Sequence, residues 1–187
     1  MRIISGKFKN KKLKFPKNSN TRPLKDSVKE NIFNILQHSN DSRIKIRNAE
    51  IIDLFAGSGS FGLECLSRGA DNAVLVENDI HALENLKHNI KILKIEKKAL
   101  VFSENVFEFF KNKTLDKRFD LVFIDPPFKN NKYLDLINSM KKNKIFKNEH
   151  IIVIHREVGT DVNVNKYIKI IETRVYGRSE IFFGKLF

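Results

Sequence analysis

The chain has 187 residues, 41% apolar and 30% charged, a composition that suits one domain with a buried core. No apolar run approaches the roughly 18 residues needed to cross a bilayer, so no membrane role is expected. A formal net charge of +13 points to a polyanionic partner, nucleic acid before membrane.

The start, Met1-Arg2-Ile3-Ile4-Ser5-Gly6, is too quickly basic for a secretory signal, and the expected location is the cytoplasm. Residues 2–15 alternate apolar with basic: Ile4, Phe8, Leu13 and Phe15 stand among lysines, with Lys9-Asn10 as a turn. The pattern predicts a short basic β-hairpin, which must lean on the main body or on its target. Arg2, Lys7, Lys9, Lys11, Lys12, Lys14 and Lys17 have no acid among them, so this segment is the candidate RNA arm. Its deletion is expected to flatten the salt dependence of RNA binding and leave cofactor binding intact. A polar loop ending in Thr21-Arg22-Pro23 leads into a helix. Ser27-Val28-Lys29-Glu30 has the form of a capping box, and Val28, Ile32, Ile35 and Leu36 share one face. The polar stretch 40–50 separates an N-terminal extension, residues 1–40, from a core domain, residues 41–187.

From residue 51 the pattern alternates strand with helix. Strands are predicted at 51–55, 73–77, 99–102, 121–124 and 151–154, and helices at 61–68, from Asp79 onward, at 106–110 and at 133–140. Such alternation implies a parallel, doubly wound sheet. Two last apolar stretches flank Tyr176-Gly177-Arg178-Ser179, a hairpin that ends the sheet antiparallel.

Gly57-Ser58-Gly59-Ser60-Phe61-Gly62 fits G-x-G-x-x-G between a strand and a helix, where backbone N–H groups meet a ligand. Glu77 ends the next strand, roughly 20 residues past the loop, where a carboxylate accepts from ribose hydroxyls. These features alone serve a nicotinamide dinucleotide or S-adenosylmethionine equally. Asp53 tips the balance, because an acid before the glycines suits an ammonium and sulfonium better than a pyrophosphate. Asp125-Pro126-Pro127-Phe128, closing a buried strand, has a use in amino-group methylation and none in hydride transfer. Asp125 and the Pro126 carbonyl would accept the hydrogens of a planar amine, the prolines would hold them rigid, and Phe128 would stack on the base. Such a base must be flipped out or presented by a loop.

His38, His81, His88, His150 and His155 show no metal-ligand spacing with each other or with Cys65, so no metal is expected. The single cysteine excludes an internal disulfide and reads as core. Arg22 is a candidate clamp for a phosphate or carboxylate; Arg156 and Arg178 divide evenly between RNA contact and plain surface.

These residues, with Arg2-Ile3-Ile4-Ser5-Gly6-Lys7, Lys11-Lys12-Leu13, Thr21-Arg22-Pro23, Asp53-Leu54-Phe55-Ala56-Gly57-Ser58-Gly59 and Ser67-Arg68-Gly69-Ala70, make a chain that resembles the RsmD-type methyltransferases nearly end to end. The resemblance implies a class I S-adenosylmethionine-dependent methyltransferase fold, Rossmann-like, with a mostly parallel seven-stranded sheet and an N-terminal extension that helps hold RNA. It implies methylation of a guanine N2 amine in 16S ribosomal RNA of the small subunit, with no obligate protein partner. By that likeness Asp53, Phe55, Ala56, Gly57, Ser58, Gly59, Glu77, Asn105 and Asp125 contact the cofactor, Asn105 at the adenine amine. Leu24, Lys29 and Ile154 depart from it, standing where threonine, arginine and glutamate are usual. Two other functions remain open: an adenine-N6 or cytosine-N4 DNA methyltransferase, which the lack of a separate DNA-recognition domain disfavours, and a non-catalytic RNA-binding assembly factor.

Overall fold

The central strands are apolar on both sides, as strands covered on both faces must be. A computed structural model describes residues 1–16, 24–40, 44–112, 117–127, 132–160 and 163–187. The strands are β1 (Glu50–Leu54), β2 (Asn72–Glu77), β3 (Ala99–Ser103), β4 (Phe119–Ile124), β5 (Phe146–Glu157), β6 (Lys169–Tyr176) and β7 (Ser179–Lys185). They form one sheet in the order β3-β2-β1-β4-β5-β7-β6. β3 to β5 run parallel; β7 lies antiparallel between β5 and β6, as the terminal hairpin required.

Side-chain alternation sorts the core into two layers. Ile51, Leu75, Leu121, Phe123 and Val153 face α1 (Asp26–His38), α2 (Ser60–Ser67) and α3 (Ile80–Leu93). Ile52, Leu54, Val76, Val122 and Ile124 face α4 (Val106–Asn112) and α5 (Tyr133–Lys142). An aromatic stack runs through the first layer: Phe33 of α1 lies 5.0 Å from Phe61 of α2, which lies 3.9 Å from Phe123 of β4. Ile3, Leu13, Val28, Ile32 and Leu36 belong to that same layer, so residues 1–40 have their core in common with the sheet. None of the described helices is long and apolar enough to cross a membrane.

Three local details differ from the sequence expectations. α1 begins at Asp26, with Lys25 at its N-cap and no side-chain cap, so Ser27 lies inside the first turn and forms no capping box. β5 spans twelve residues because its early part, from Phe146, pairs with Phe119 ahead of the apolar run. Residues 2–15 form a strap with a single antiparallel bridge, Arg2 to Lys12, instead of a regular hairpin.

The strap is irregular because α2 takes its donors. Ile4 and Ser5 donate to the two oxygens of the buried Glu64 carboxylate at 2.7 and 2.9 Å, and Lys7 and Phe8 donate to Ser67 at 2.8 and 3.0 Å. Gly6 makes this approach possible: its φ is +82°, and a Cβ there would lie 1.9 Å from the Ser67 carbonyl oxygen. The fully buried Lys29 closes the cluster, donating to the Arg2 carbonyl at 2.8 Å with its ammonium 3.6 Å from Glu64. Asn89 of α3 grips the other arm, accepting from Lys14 N–H at 2.8 Å and donating to the carbonyls of Lys14 and Ser58, both at 3.0 Å.

Candidate active site

β1 and β4 are neighbours, and the strand order turns over between them, which is where open α/β sheets form a crevice. Leu54 pairs with Ile124, so the glycine turn after β1 and the Asp-Pro-Pro tip after β4 emerge side by side at the same sheet edge. One cleft joins them, with about 420 Å³ of empty space including its open mouth. Asp53, Phe55, Ala56, Ser58, Ser60, Phe61, Phe123 and Asp125 line it, joined by Met1, Phe15 and Leu24 from the N-terminal segment.

The turn is built for close backbone approach. Phe55, Gly57 and Gly59 all have positive φ, and a Cβ on Gly57 would meet nothing within 4 Å, so this backbone faces open space. Gly57 donates to Glu77 Oε2 at 2.6 Å, while Asn78 and Asp79 donate to Oε1 at 2.8 Å each. Counting two lone pairs per oxygen, one acceptor position is left, on Oε2. The expected pair of ribose hydroxyls thus meets a carboxylate with three of its four positions already filled. Asp79 caps α3 as expected, accepting from Ala82 N–H at 2.7 Å.

Asp53 is buried beneath the turn. Its Oδ2 accepts from Gly62 N–H at 2.9 Å, and Oδ1 has no hydrogen-bond partner among the described residues. Gly62 is needed for that approach, since a Cβ would lie 2.3 Å from Leu75 and 3.2 Å from Asp53 Oδ2. Burial, then the nearby charges of Asp125 and Glu77, push the Asp53 carboxyl well above the usual carboxylate range, although the Gly62 bond works the other way. The Ser58 hydroxyl is a second buried polar group on this cleft without a partner among the described residues. The Asp53 and Ser58 oxygens can therefore accept from a hydrogen-bond-donating group in this cleft, and a cationic donor would favour the ionised form of Asp53.

Asp125 is 23% exposed at the cleft. Its Oδ1 lies 2.9 Å from Nδ1 of the buried His155, whose Nε2 lies 3.0 Å from the Ser179 hydroxyl. The next residue, Arg156, is fully buried, stacked 4.7 Å from the Tyr133 ring centre, and donates to the carbonyls of Pro126 and Pro127 at 3.5 and 3.3 Å. Both sequence options for Arg156, RNA contact or plain surface, are thereby excluded: the guanidinium stiffens the Asp-Pro-Pro tip from beneath. Ile154 packs in the core beside Ile124, and the side chain of β5 that reaches Asp125 is His155. The sequence spacing could not single out His155 or Arg156, because their partners lie on another strand.

Other expected site residues are placed less centrally. Asn105 is exposed and caps its own helix, its Oδ1 accepting from Phe107 N–H at 2.9 Å. Arg2, Lys7, Lys11 and Lys12 are exposed on the strap, with Arg2 3.7 Å from Asp26 and Lys7 over the Phe8 ring. Arg178 pairs with Glu157 at the lip of the sheet. Lys17, Thr21, Arg22, Pro23 and Phe128 lie outside the described residues. Ile80, which the sequence places on one apolar helix side with Leu83, Ile90 and Leu93, is instead 70% exposed while those three are buried; it lies three residues after Glu77 and offers an apolar surface to a planar ring. No group of three His, Cys, Asp or Glu among the described residues could hold a metal ion.

A sheet of this order, reversed only at its far edge and with its crevice at the turnover point, is that of the class I S-adenosylmethionine-dependent methyltransferases. Within that class the chain belongs to the RsmD family: the family model described as Conserved hypothetical protein 95 matches residues 1–185. The ribosomal RNA small subunit methyltransferase D of Escherichia coli strain K12 is 35% identical over 158 residues, covering 84% of this chain and 75% of that protein. An uncharacterized methylase of Rickettsia prowazekii is 32% identical over 225 residues, covering 97% and 95%. A solved, provisionally named methyltransferase from Escherichia coli superposes with a TM-score of 0.83 at 30% identity, covering 100% of this chain and 97% of that one.

Proposed function

We propose that this chain transfers a methyl group from S-adenosylmethionine to the N2 amine of a guanine in small-subunit (16S) ribosomal RNA, in the cytoplasm. The observation that carries the reading is the single cleft shared by the orphaned Asp53 and Ser58 oxygens and the Asp125 carboxylate. The name of the Escherichia coli relative supports ribosomal RNA as the substrate class. The exposed lysines of the strap support a polyanion.

The cofactor supplies an electrophilic methyl group on a sulfonium. Asp53 and Ser58 would hold its ammonium end, the open Gly57 backbone and the remaining Glu77 acceptor its sugar, and Ile80 one face of its ring. Asp125 and the Pro126 carbonyl accept the target amine's hydrogens, which turns its lone pair away from the base ring. Arg156 holds that carbonyl in place through one lone pair, and a carbonyl oxygen has a second with which to accept. Asp125 takes the proton once the methylated nitrogen is cationic, so it need not be a strong base. Positioning of this kind supplies most of the rate for an in-line transfer. Phe128, by the same reading, stacks on the base.

Incubating small-subunit RNA and particles with a labelled methyl donor, followed by nucleoside analysis, tests the reading. N2-methylguanine is expected, and Asp125→Ala should reduce its formation by about 100-fold or more. Labelled N6-methyladenine in its place would sink the guanine assignment. Tight RNA binding without any cofactor affinity would favour an assembly factor instead.

A further inference from the structure

We propose that His155 is the positioning residue for Asp125, and that Ser179 fixes the imidazole in the form that does so. The proposal rests on the methyl-transfer reading and adds to it a residue outside the motifs. Asp125 Oδ1 lies 2.9 Å from His155 Nδ1, and Nε2 lies 3.0 Å from Ser179 Oγ. An ionised carboxylate only accepts, so Nδ1 carries the hydrogen in this contact. Nε2 of a neutral ring is then an acceptor, and the Ser179 hydroxyl can donate to it.

The consequence is directional. With one acceptor position of Oδ1 taken from the sheet side, the carboxylate is pinned at that oxygen, and Oδ2 is the oxygen best placed to serve the cleft. The imidazole itself is 5% exposed, held on β5 between β4 and β7, so it has little freedom to swing. Arg156 acts on the neighbouring carbonyls, so two consecutive residues of β5 secure the carboxylate and the backbone of one tip. A side chain that loses this grip lets Asp125 rotate, and a reacting geometry depends on sub-ångström placement.

Asparagine reproduces the Nδ1–H donor in nearly the same place, whereas leucine fills the volume and offers no hydrogen. His155→Leu should lower kcat by roughly 10- to 100-fold, with KM for RNA and the cofactor dissociation constant within about twofold of the original. His155→Asn should recover most of that loss. Independently of activity, the imidazole 15N shifts of the wild-type protein should show a hydrogen-bonded Nδ1–H, displaced in Asp125→Asn and, on the Nε2 side, in Ser179→Ala. An unchanged kcat in His155→Leu, equal losses in the leucine and asparagine variants, or a bare Nδ1 in the spectrum would each overturn the proposal while methyl transfer stood. Absence of transfer by the wild-type protein would overturn the reading beneath it.

Discussion

Asp53 combines a buried carboxyl, an oxygen without a partner among the described residues and a place on the cleft wall. Its proton affinity is raised by burial first and by the charges of Asp125 and Glu77, against the Gly62 hydrogen bond. A cationic ligand reverses that balance, since an opposite charge favours the ionised form. Binding should therefore release a proton, and affinity should rise with pH until the free-state carboxyl is itself ionised. Calorimetry of S-adenosylmethionine binding in buffers of different ionisation enthalpy measures that proton directly. Measured across a pH series below the range of the ligand's own α-amino group (about 7.7–8.0), the absence of proton release at every pH would show that Asp53 does not meet the cation. Asp53→Asn should remove the pH dependence and weaken binding by about tenfold or more.

At the scale of elements, the basic strap and the glycine turn are one mechanical unit. Asn89 joins the Lys14 backbone to the Ser58 carbonyl, and Lys29 joins the Arg2 carbonyl to the Ser60 hydroxyl at 3.2 Å. Met1 and Phe15 line the cleft, so deleting the strap would disturb the cleft wall and leave Glu64 without its N–H donors. The expectation that truncation spares cofactor binding does not fit this arrangement. Charge neutralisation separates the roles. Lys7, Lys11 and Lys12 are exposed, and their joint replacement by glutamine should reduce the salt slope of RNA binding by about 2 to 3 while cofactor affinity holds. An unchanged slope in a filter-binding titration would show that the strap is not the RNA arm.

Across the whole molecule, the sheet's far edge is secured by groups remote from the cleft. His150 on β5 accepts from Leu186 N–H through Nε2 at 3.0 Å and shares its Nδ1 hydrogen with the Lys147 carbonyl at 2.8 Å, which requires a neutral ring. Burial holds its imidazole below the ordinary value. In the unfolded chain the ring takes a proton near pH ~6.5, so its contribution is fully present above that pH and is lost as pH falls toward the folded-state value. Denaturant titrations between pH 7.5 and 5 should show stability falling, less steeply in His150→Gln. Equal slopes would remove His150 from the account.

The alternation of apolar runs with amphipathic segments was enough for the parallel sheet, because each run's length and each helix's periodicity are local properties. The same holds for the glycine turn, the Asp79 cap and the antiparallel ending. Ser27 does not cap because a capping motif competes with the path of the incoming chain, and the helix begins two residues earlier, at Asp26. The roles of His155 and Arg156 were not legible, the first weighed only as a metal ligand and the second only as an RNA contact or plain surface, since what gives them those roles is the neighbouring strand's Asp125 and its prolines.

Residue order alone determined that one carboxylate would stand before a glycine turn and another before two prolines. Only folding decided that they share a crevice, because that depends on β1 and β4 being adjacent strands with Leu54 opposite Ile124. Folding likewise turned a lysine-rich segment into a cleft wall, since the donors of Ile4 and Ser5 found their acceptors on a helix some sixty residues away. Hydrogen-bonding groups must be satisfied by whatever the tertiary structure brings near, and that neighbour is not written beside them in the chain.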